Sequence, residues 1–170
     1  MLTFLNHKNR EEERFTRIVD AYRESIYWYV RRRVISHEDA DDVTQEVFIR
    51  VYKSLDSLKD EAAEKAWIYR IATNECNRFL TQKYQSAELT EEISNCLMEG
   101  EYIDYDDAMQ VKFQRALQTL SERQRTVFDL RYYEEMPYEQ IAQVLGSEVS
   151  TLKATYYVAK QKITDYILNS

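Results

Sequence analysis

Residues 39–55 read DADDVTQEVFIRVYKSL, a stretch without glycine or proline in which Ala40, Val43, Val47, Val51 and Leu55 recur at steps of three and four. That period predicts an amphipathic helix. At about 100° per residue, Val43, Val47, Phe48, Val51 and Leu55 fill one arc. Asp42, Gln45, Glu46, Arg50 and Lys53 fill the other, with Ile49 among them. A solvated face has little use for an isoleucine amid five polar groups. Two readings fit it: a stray exposed apolar residue, which is common, or the apolar anchor of a protein-binding face with a charged rim.

The rest of the chain extends the helical reading. Two glycines and one proline in 170 residues leave almost nothing to punctuate helices, and all three stand at position 100 or beyond. The expected fold is all-α. No apolar run approaches the roughly 18 residues of a membrane span. The opening MLTFLNHKNREEER has too short an apolar core for a signal peptide, and the expected location is cytoplasmic. Cys76 and Cys96 stand apart, and His7 and His37 are distant from both. The ligand spacing of a metal site is missing, so reduced thiols, no metal and no cofactor are expected.

The net charge of −7 looks wrong for a nucleic-acid binder until it is localised. Residues 1–82 carry −1, residues 83–107 carry −7 and residues 108–170 carry +1. The acidic excess is confined to a segment, YQSAELTEEISNCLMEGEYIDYDD at 84–107, that also breaks the helical period. It reads as a flexible acidic linker between two small helical domains, 1–83 and 108–170.

In the first domain, residues 11–33 predict a helix with Phe15, Ile18, Val19, Tyr22, Ile26 and Val30 on its buried stripe. Arg31, Arg32 and Arg33 read as its solvated end, favoured by the helix dipole. Ser36 can cap the second helix. A third helix spans 63–83, with Ile68, Ile71, Ala72, Cys76, Phe79 and Leu80 inward. Arg70, Asn74, Asn77, Arg78 and Thr81 share the opposite arc, and Trp67 points there too. That set is either an ordinary polar face with a half-buried tryptophan, or one that binds phosphates, reads base edges and stacks on a base.

In the second domain, Ser121-Glu-Arg-Gln124 is a capping box. Pro137 suits the first turn of the helix that follows, whose buried face is Ile141, Ala142 and Leu145, and Gly146 supplies a turn. The last helix buries Val149, Leu152, Tyr156, Ala159 and Ile163 and presents Ser150, Thr151, Lys153, Ala154, Tyr157, Val158 and Gln161. This is a helix-turn-helix pattern.

The stretch Asp39-Ala-x-Asp-x-x-Gln-Glu-x-Phe-x-Arg-Val-Tyr, the segment Trp67-Ile-Tyr-Arg-Ile-Ala-x-Asn74 and the helix-turn-helix, in this order, resemble bacterial σ factors of the sigma-70 family, extracytoplasmic function (ECF, group four) type. The resemblance covers about residues 11–165. It implies a non-enzymatic protein that binds core RNA polymerase (the β′ clamp helices and the β subunit) and promoter DNA, and that takes no small-molecule substrate. It further implies control by an anti-σ factor.

Carried over residue by residue, the resemblance assigns polymerase binding to Asp42, Gln45, Glu46, Ile49, Arg50 and Lys53. It assigns the −10 element to Leu58, Lys59, Trp67, Arg70, Asn74, Asn77 and Arg78, with an unstacked base entering the loop from Leu58 to Glu64. The −35 element falls to Ser150, Thr151, Lys153, Ala154, Tyr157, Val158 and Gln161. The linker would thread the polymerase's active-site and RNA-exit channels, its carboxylates standing in for RNA phosphates.

Departures occur too. Thr81 and Gln82 stand where arginine is common, and Ala154, Thr155 and Val158 replace a serine and two basic residues. Alanine, valine and tyrosine can touch thymine methyls. Two other classes stay open on the residues alone: a stand-alone helix-turn-helix regulator that binds DNA without polymerase, and a helical adaptor that binds only proteins.

Overall fold

Helix propensity and the scarcity of glycine and proline produce what they predict. The computed structural model describes residues 2–34, 36–85 and 108–169, and these form helices and short turns, with no strand among them. They divide into two compact units. Residues 86–107, most of the acidic linker, lie outside the described residues.

The first unit holds α1 (Leu2–Arg31), α2 (His37–Lys53) and α3 (Glu64–Gln85), with two short 3-10 turns at Leu55–Ser57 and Glu61–Ala63. The helix α1 begins nine residues before the expected start at 11. The polar run NHKNREEE contains no breaker, so the helix propagates through it without an apolar stripe. Helix α2 packs on both α1 and α3. Val43, Val47 and Val51 of α2 and Leu55 just after it are buried, as are Ile18 and Ile26 of α1 and Ile68 and Ala72 of α3. Burial of each such side chain contributes about 1.5–3 kcal/mol.

The Ser36 hydroxyl accepts from the Asp39 amide at 3.0 Å, capping α2 as expected. The arginine triplet departs from its solvated reading at Arg33, which is buried. Its guanidinium donates to the Tyr29 hydroxyl (3.0 Å). Thr73 spends its hydroxyl hydrogen on the Tyr69 carbonyl (2.7 Å). Tyr29 must therefore be the donor in its 2.7 Å contact with Thr73 Oγ1. This ordered relay of three bonds ties the end of α1 to the middle of α3, in the interior where hydrogen bonds are worth most.

The second unit holds α4 (Ala108–Gln118), α5 (Glu122–Tyr132), α6 (Tyr138–Leu145) and α7 (Val149–Asn169). The capping box forms in both directions: the Gln124 amide reaches Ser121 Oγ, and the Ser121 amide reaches Gln124 Oε1. Pro137 sits one position before α6, as its N-cap residue, with φ −66°. Within α6, Ile141 and Val144 are buried, while Ala142 and Leu145 are half-buried. The apolar arc is thus rotated slightly from the expected one. Leu152, Ala159 and Ile163 of α7 are buried. Ala159 and Ile163 pack with Phe128, Ala116, Leu117 and Leu120 of the preceding segment.

Gly146 ends α6 at φ 59°, ψ 42°, the left-handed region that side chains with a Cβ disfavour. A Cβ built there meets nothing within 4 Å, so the requirement is backbone alone. Gly146→Ala should therefore cost about 1 kcal/mol, read as a lower urea midpoint. Gly146→Asn should cost less, since asparagine tolerates this conformation.

Candidate functional site

Helix α2 presents its outer arc as the period predicted: Asp42, Gln45, Glu46, Arg50 and Lys53 are exposed, and Ile49 is 37 % exposed. Ile49 is not isolated. With Phe15 of α1 and Phe48, Tyr52, Gln45 and Lys53 it lines an apolar groove of about 390 Å³. The Phe15 and Tyr52 rings meet edge-on at 5.1 Å and form one wall. A second groove lies alongside with an acidic rim, where Asp42 and Gln45 join Asp20, Glu24 and Asp41, with Arg23 among them. An apolar slot beside an acidic one is suited to a helical partner that offers apolar and basic side chains on adjacent faces.

The loop before α3 is held from α1. The Arg14 guanidinium donates to the Leu58 carbonyl (3.1 Å), and Arg17 forms a two-pronged ion pair with buried Glu64, at 3.1 and 2.5 Å. Asp60 caps the intervening turn through the Ala62 amide. Lys59 is exposed. The Leu58 side chain is only 5 % exposed, so it faces the core rather than outward. What it offers at this loop is an anchor, with its apolar group buried and its carbonyl bound. Along α3, Arg70, Asn74, Asn77, Arg78 and Thr81 are all exposed, and Trp67 is half-buried beside them.

A buried carboxylate joins these two faces. Glu75, on α3, is 8 % exposed. Its Oε1 lies 3.2 Å from Arg50 Nε of α2, and its Oε2 lies 2.5 Å from an Arg78 guanidinium nitrogen. The same Arg78 nitrogen is 3.7 Å from Glu46. Glu46 and Arg50 of the α2 arc and Arg78 of the α3 arc, assigned to separate tasks, thus form one ion network with Glu75 across the α2–α3 seam.

On α7, Ser150, Thr151, Lys153, Ala154, Tyr157, Val158 and Gln161 are all exposed, with Tyr157 at 65 % and Val158 at 42 %. The Lys153 ammonium lies 5.8 Å from the centroid of the Tyr138 ring of α6, and the Arg131 guanidinium lies 5.2 Å from the same ring. A cation over an aromatic face is attracted by the ring's quadrupole, which steadies the lysine at the outer surface. Arg123 donates to the Ser147 hydroxyl (2.8 Å) and pins the turn between α6 and α7. Burial, then the neighbouring Tyr138, raises the Tyr156 phenol above its ordinary pKa. It stays neutral in its stack with Phe128.

Comparison with known proteins agrees with this arrangement. The family model for sigma-70 region 2 matches residues 18–85, from the middle of α1 through α2 and α3, and that for sigma-70 region 4 matches residues 110–163, across α4 to α7. The chain belongs to the sigma-70 family, in its ECF group. It is 29 % identical over 169 residues to the ECF RNA polymerase sigma factor SigW of Bacillus subtilis (strain 168), covering 92 % of this chain and 90 % of that one. It is likewise 29 % identical over 175 residues to the ECF RNA polymerase sigma-E factor of Escherichia coli (strain K12), covering 92 % and 88 %.

Among solved structures, the fold is similar to that of the sigma factor RpoE of Bartonella quintana, solved with the anti-sigma factor NepR. That match has a TM-score of 0.72 and 19 % identity, and covers 91 % of this chain and 97 % of that one. CnrH, solved with the cytosolic domain of CnrY, gives a TM-score of 0.67 at 19 % identity over 94 % and 90 %.

In this σ factor the periodicity located the exposed arcs of α2, α3 and α7, but not what holds the arcs. Glu75 was passed over because a glutamate inside a helix ordinarily faces solvent. The one available signal was its angular position, between the inward Ala72 and Cys76 and the outward Asn74 and Arg78. Arg14, Arg17 and the burial of Glu64 at the end of the loop have no local signal, as their partners lie more than forty residues away in sequence.

Proposed function

We propose that this ECF σ factor docks on core RNA polymerase through the α2 arc of Asp42, Gln45, Glu46, Ile49, Arg50 and Lys53, with the β′ clamp helices seated against the Ile49 groove. The loop from Leu58 to Glu64 and the α3 arc of Trp67, Arg70, Asn74, Asn77 and Arg78 receive the melted −10 strand. The α7 arc from Ser150 to Gln161 meets the −35 element, with thymine methyls against Ala154, Tyr157 and Val158. The protein works in the cytoplasm, where polymerase and promoter are. No helix among the described residues is long and apolar enough to cross a membrane. One similar fold was solved with an anti-sigma factor, which supports control by such a partner here.

One observation carries the reading. Both halves of the family's architecture occur in one chain, in order, with an exposed isoleucine in the charged arc of the helix that matches the family's docking helix. The test combines the chain with core polymerase and genomic DNA and maps transcript starts. New starts that share an upstream sequence, absent with core alone, are expected. Specific DNA binding without polymerase and without new starts would support a stand-alone regulator instead.

The linker gives a further expectation. Residues 83–107 hold eight carboxylates and one lysine. Changing Glu88, Glu91, Glu92, Glu99, Glu101, Asp104, Asp106 and Asp107 to amides should strengthen the free chain's binding to duplex DNA, most at low salt. It should also lower the yield of initial transcripts from the holoenzyme. A passive tether predicts the first change without the second.

A further inference from the structure

The α3 arc offers two arginines to DNA, and one is already occupied. Arg78 sits 2.5 Å from Glu75 and 3.7 Å from Glu46, while Arg50 takes the other Glu75 oxygen at 3.2 Å. Two cations and two carboxylates cancel in this patch, so the surface beside Asn74 and Asn77 carries little net attraction for phosphate. The Glu75 side chain is 9 % exposed, and the Arg78 side chain is 46 % exposed. The anion is therefore fixed by the fold while the cation can swing outward. Among the described residues no hydrogen bond of good geometry reaches Glu75 Oε2, so the hold on Arg78 is mainly charge. A buried carboxylate on a half-open guanidinium offers the same chemistry as a phosphate oxygen: a single anionic oxygen in the place where one would bind.

We propose that Glu75 is a positioning residue that acts as an internal substitute for a nucleic-acid phosphate. It holds Arg78 of the α3 arc against the α2–α3 seam in the free chain, so that a strand's phosphate must displace it. This rests on the reading that the α3 arc meets DNA. Removing the carboxylate's charge frees one cation for the strand without adding any new group. The gain is limited, because a pair with one half-exposed partner is screened by solvent. Arg50, also half-exposed, stays solvated when Glu75 is neutral, so the isosteric change strands no buried charge.

The test uses the full chain and a fluorescein-labelled twelve-nucleotide single-stranded DNA of adenine and thymine, with anisotropy read at several salt concentrations. Glu75→Gln is expected to bind about fivefold tighter at low salt. Its plot of log affinity against log salt should be steeper by about 0.7, one phosphate contact on single-stranded DNA. A purely structural role would move stability without adding a salt-dependent contact. Both gains should vanish when Arg78→Ala is added to Glu75→Gln.

Glu46→Gln, a change at the exposed end of the network, should shift affinity in the same direction by about twofold, and it carries the test if Glu75→Gln lowers the melting temperature substantially. Unchanged or weaker binding with an unchanged slope in the folded Glu75→Gln variant would overturn the proposal. In that case a loss on adding Arg78→Ala would leave the DNA-facing role of α3 standing. Tighter binding of Glu75→Gln that survives Arg78→Ala would overturn both, since the gain would then be general charge and not this arc.

Discussion

Ile49→Asp is expected to weaken binding to core RNA polymerase on the order of 100-fold or more while leaving the melting temperature of the free protein nearly unchanged. The asymmetry follows from where the side chain sits. In the free chain Ile49 is 37 % exposed, so an aspartate there can turn into water, and the buried stripe of Val43, Val47 and Val51 is untouched. In a complex the same position lies beside the apolar groove built with Phe15, Phe48 and Tyr52. A carboxylate pressed into that slot loses its water against the Phe15, Phe48 and Tyr52 rings. Competition binding against labelled wild-type protein gives the affinity, and circular dichroism gives the melt. If the variant unfolds instead, Ile49 belongs to the core of the free protein, and the docking assignment for α2 loses its anchor.

Asn74→Ala combined with Arg78→Ala should reduce open-complex formation by on the order of 100-fold, with polymerase affinity little changed. A well-made side-chain contact to a base edge is worth about 1–3 kcal/mol, and here one is lost together with the Arg78 contact to phosphate. Both side chains are exposed on one arc of α3, so their truncation opens no cavity. Loss of Arg78 does not strand Glu75, because Arg50 remains at 3.2 Å. Permanganate reactivity of thymines near −10 reports the melted strand directly. Full reactivity in the double variant would make this face a solvated one and move the contact with the melted strand elsewhere.

Much of this protein was legible from its chain. Helix phase is a local property, set by residues three and four apart, so the outward arcs of α2, α3 and α7 emerged from the apolar period with each expected exposed residue in place. The caps at Ser36 and at Ser121 with Gln124, and the left-handed Gly146, were equally local, since each is satisfied within a few residues. Where the period is weak the reading drifted. The start of α1 was placed nine residues late for want of an apolar stripe. The expected buried side of α6 is Ile141, Ala142 and Leu145; Ile141 is buried, but Val144 lies deeper than Ala142 and Leu145.

The polar interior required the tertiary structure. Nothing near Glu75 in sequence announces that Arg50, twenty-five residues earlier, will arrive at its oxygen. Nothing near Arg33 announces the relay through Tyr29 to Thr73. The same is true of Leu58, whose motif position suggested an outward role but whose carbonyl is bound by Arg14 from α1. Apolar burial depends on periodicity, because any apolar neighbour is an adequate partner. A buried charge or hydroxyl needs one particular partner at bonding distance and angle. That partner is supplied by another helix, so only the packing of α1, α2 and α3 decides which polar residues go inside.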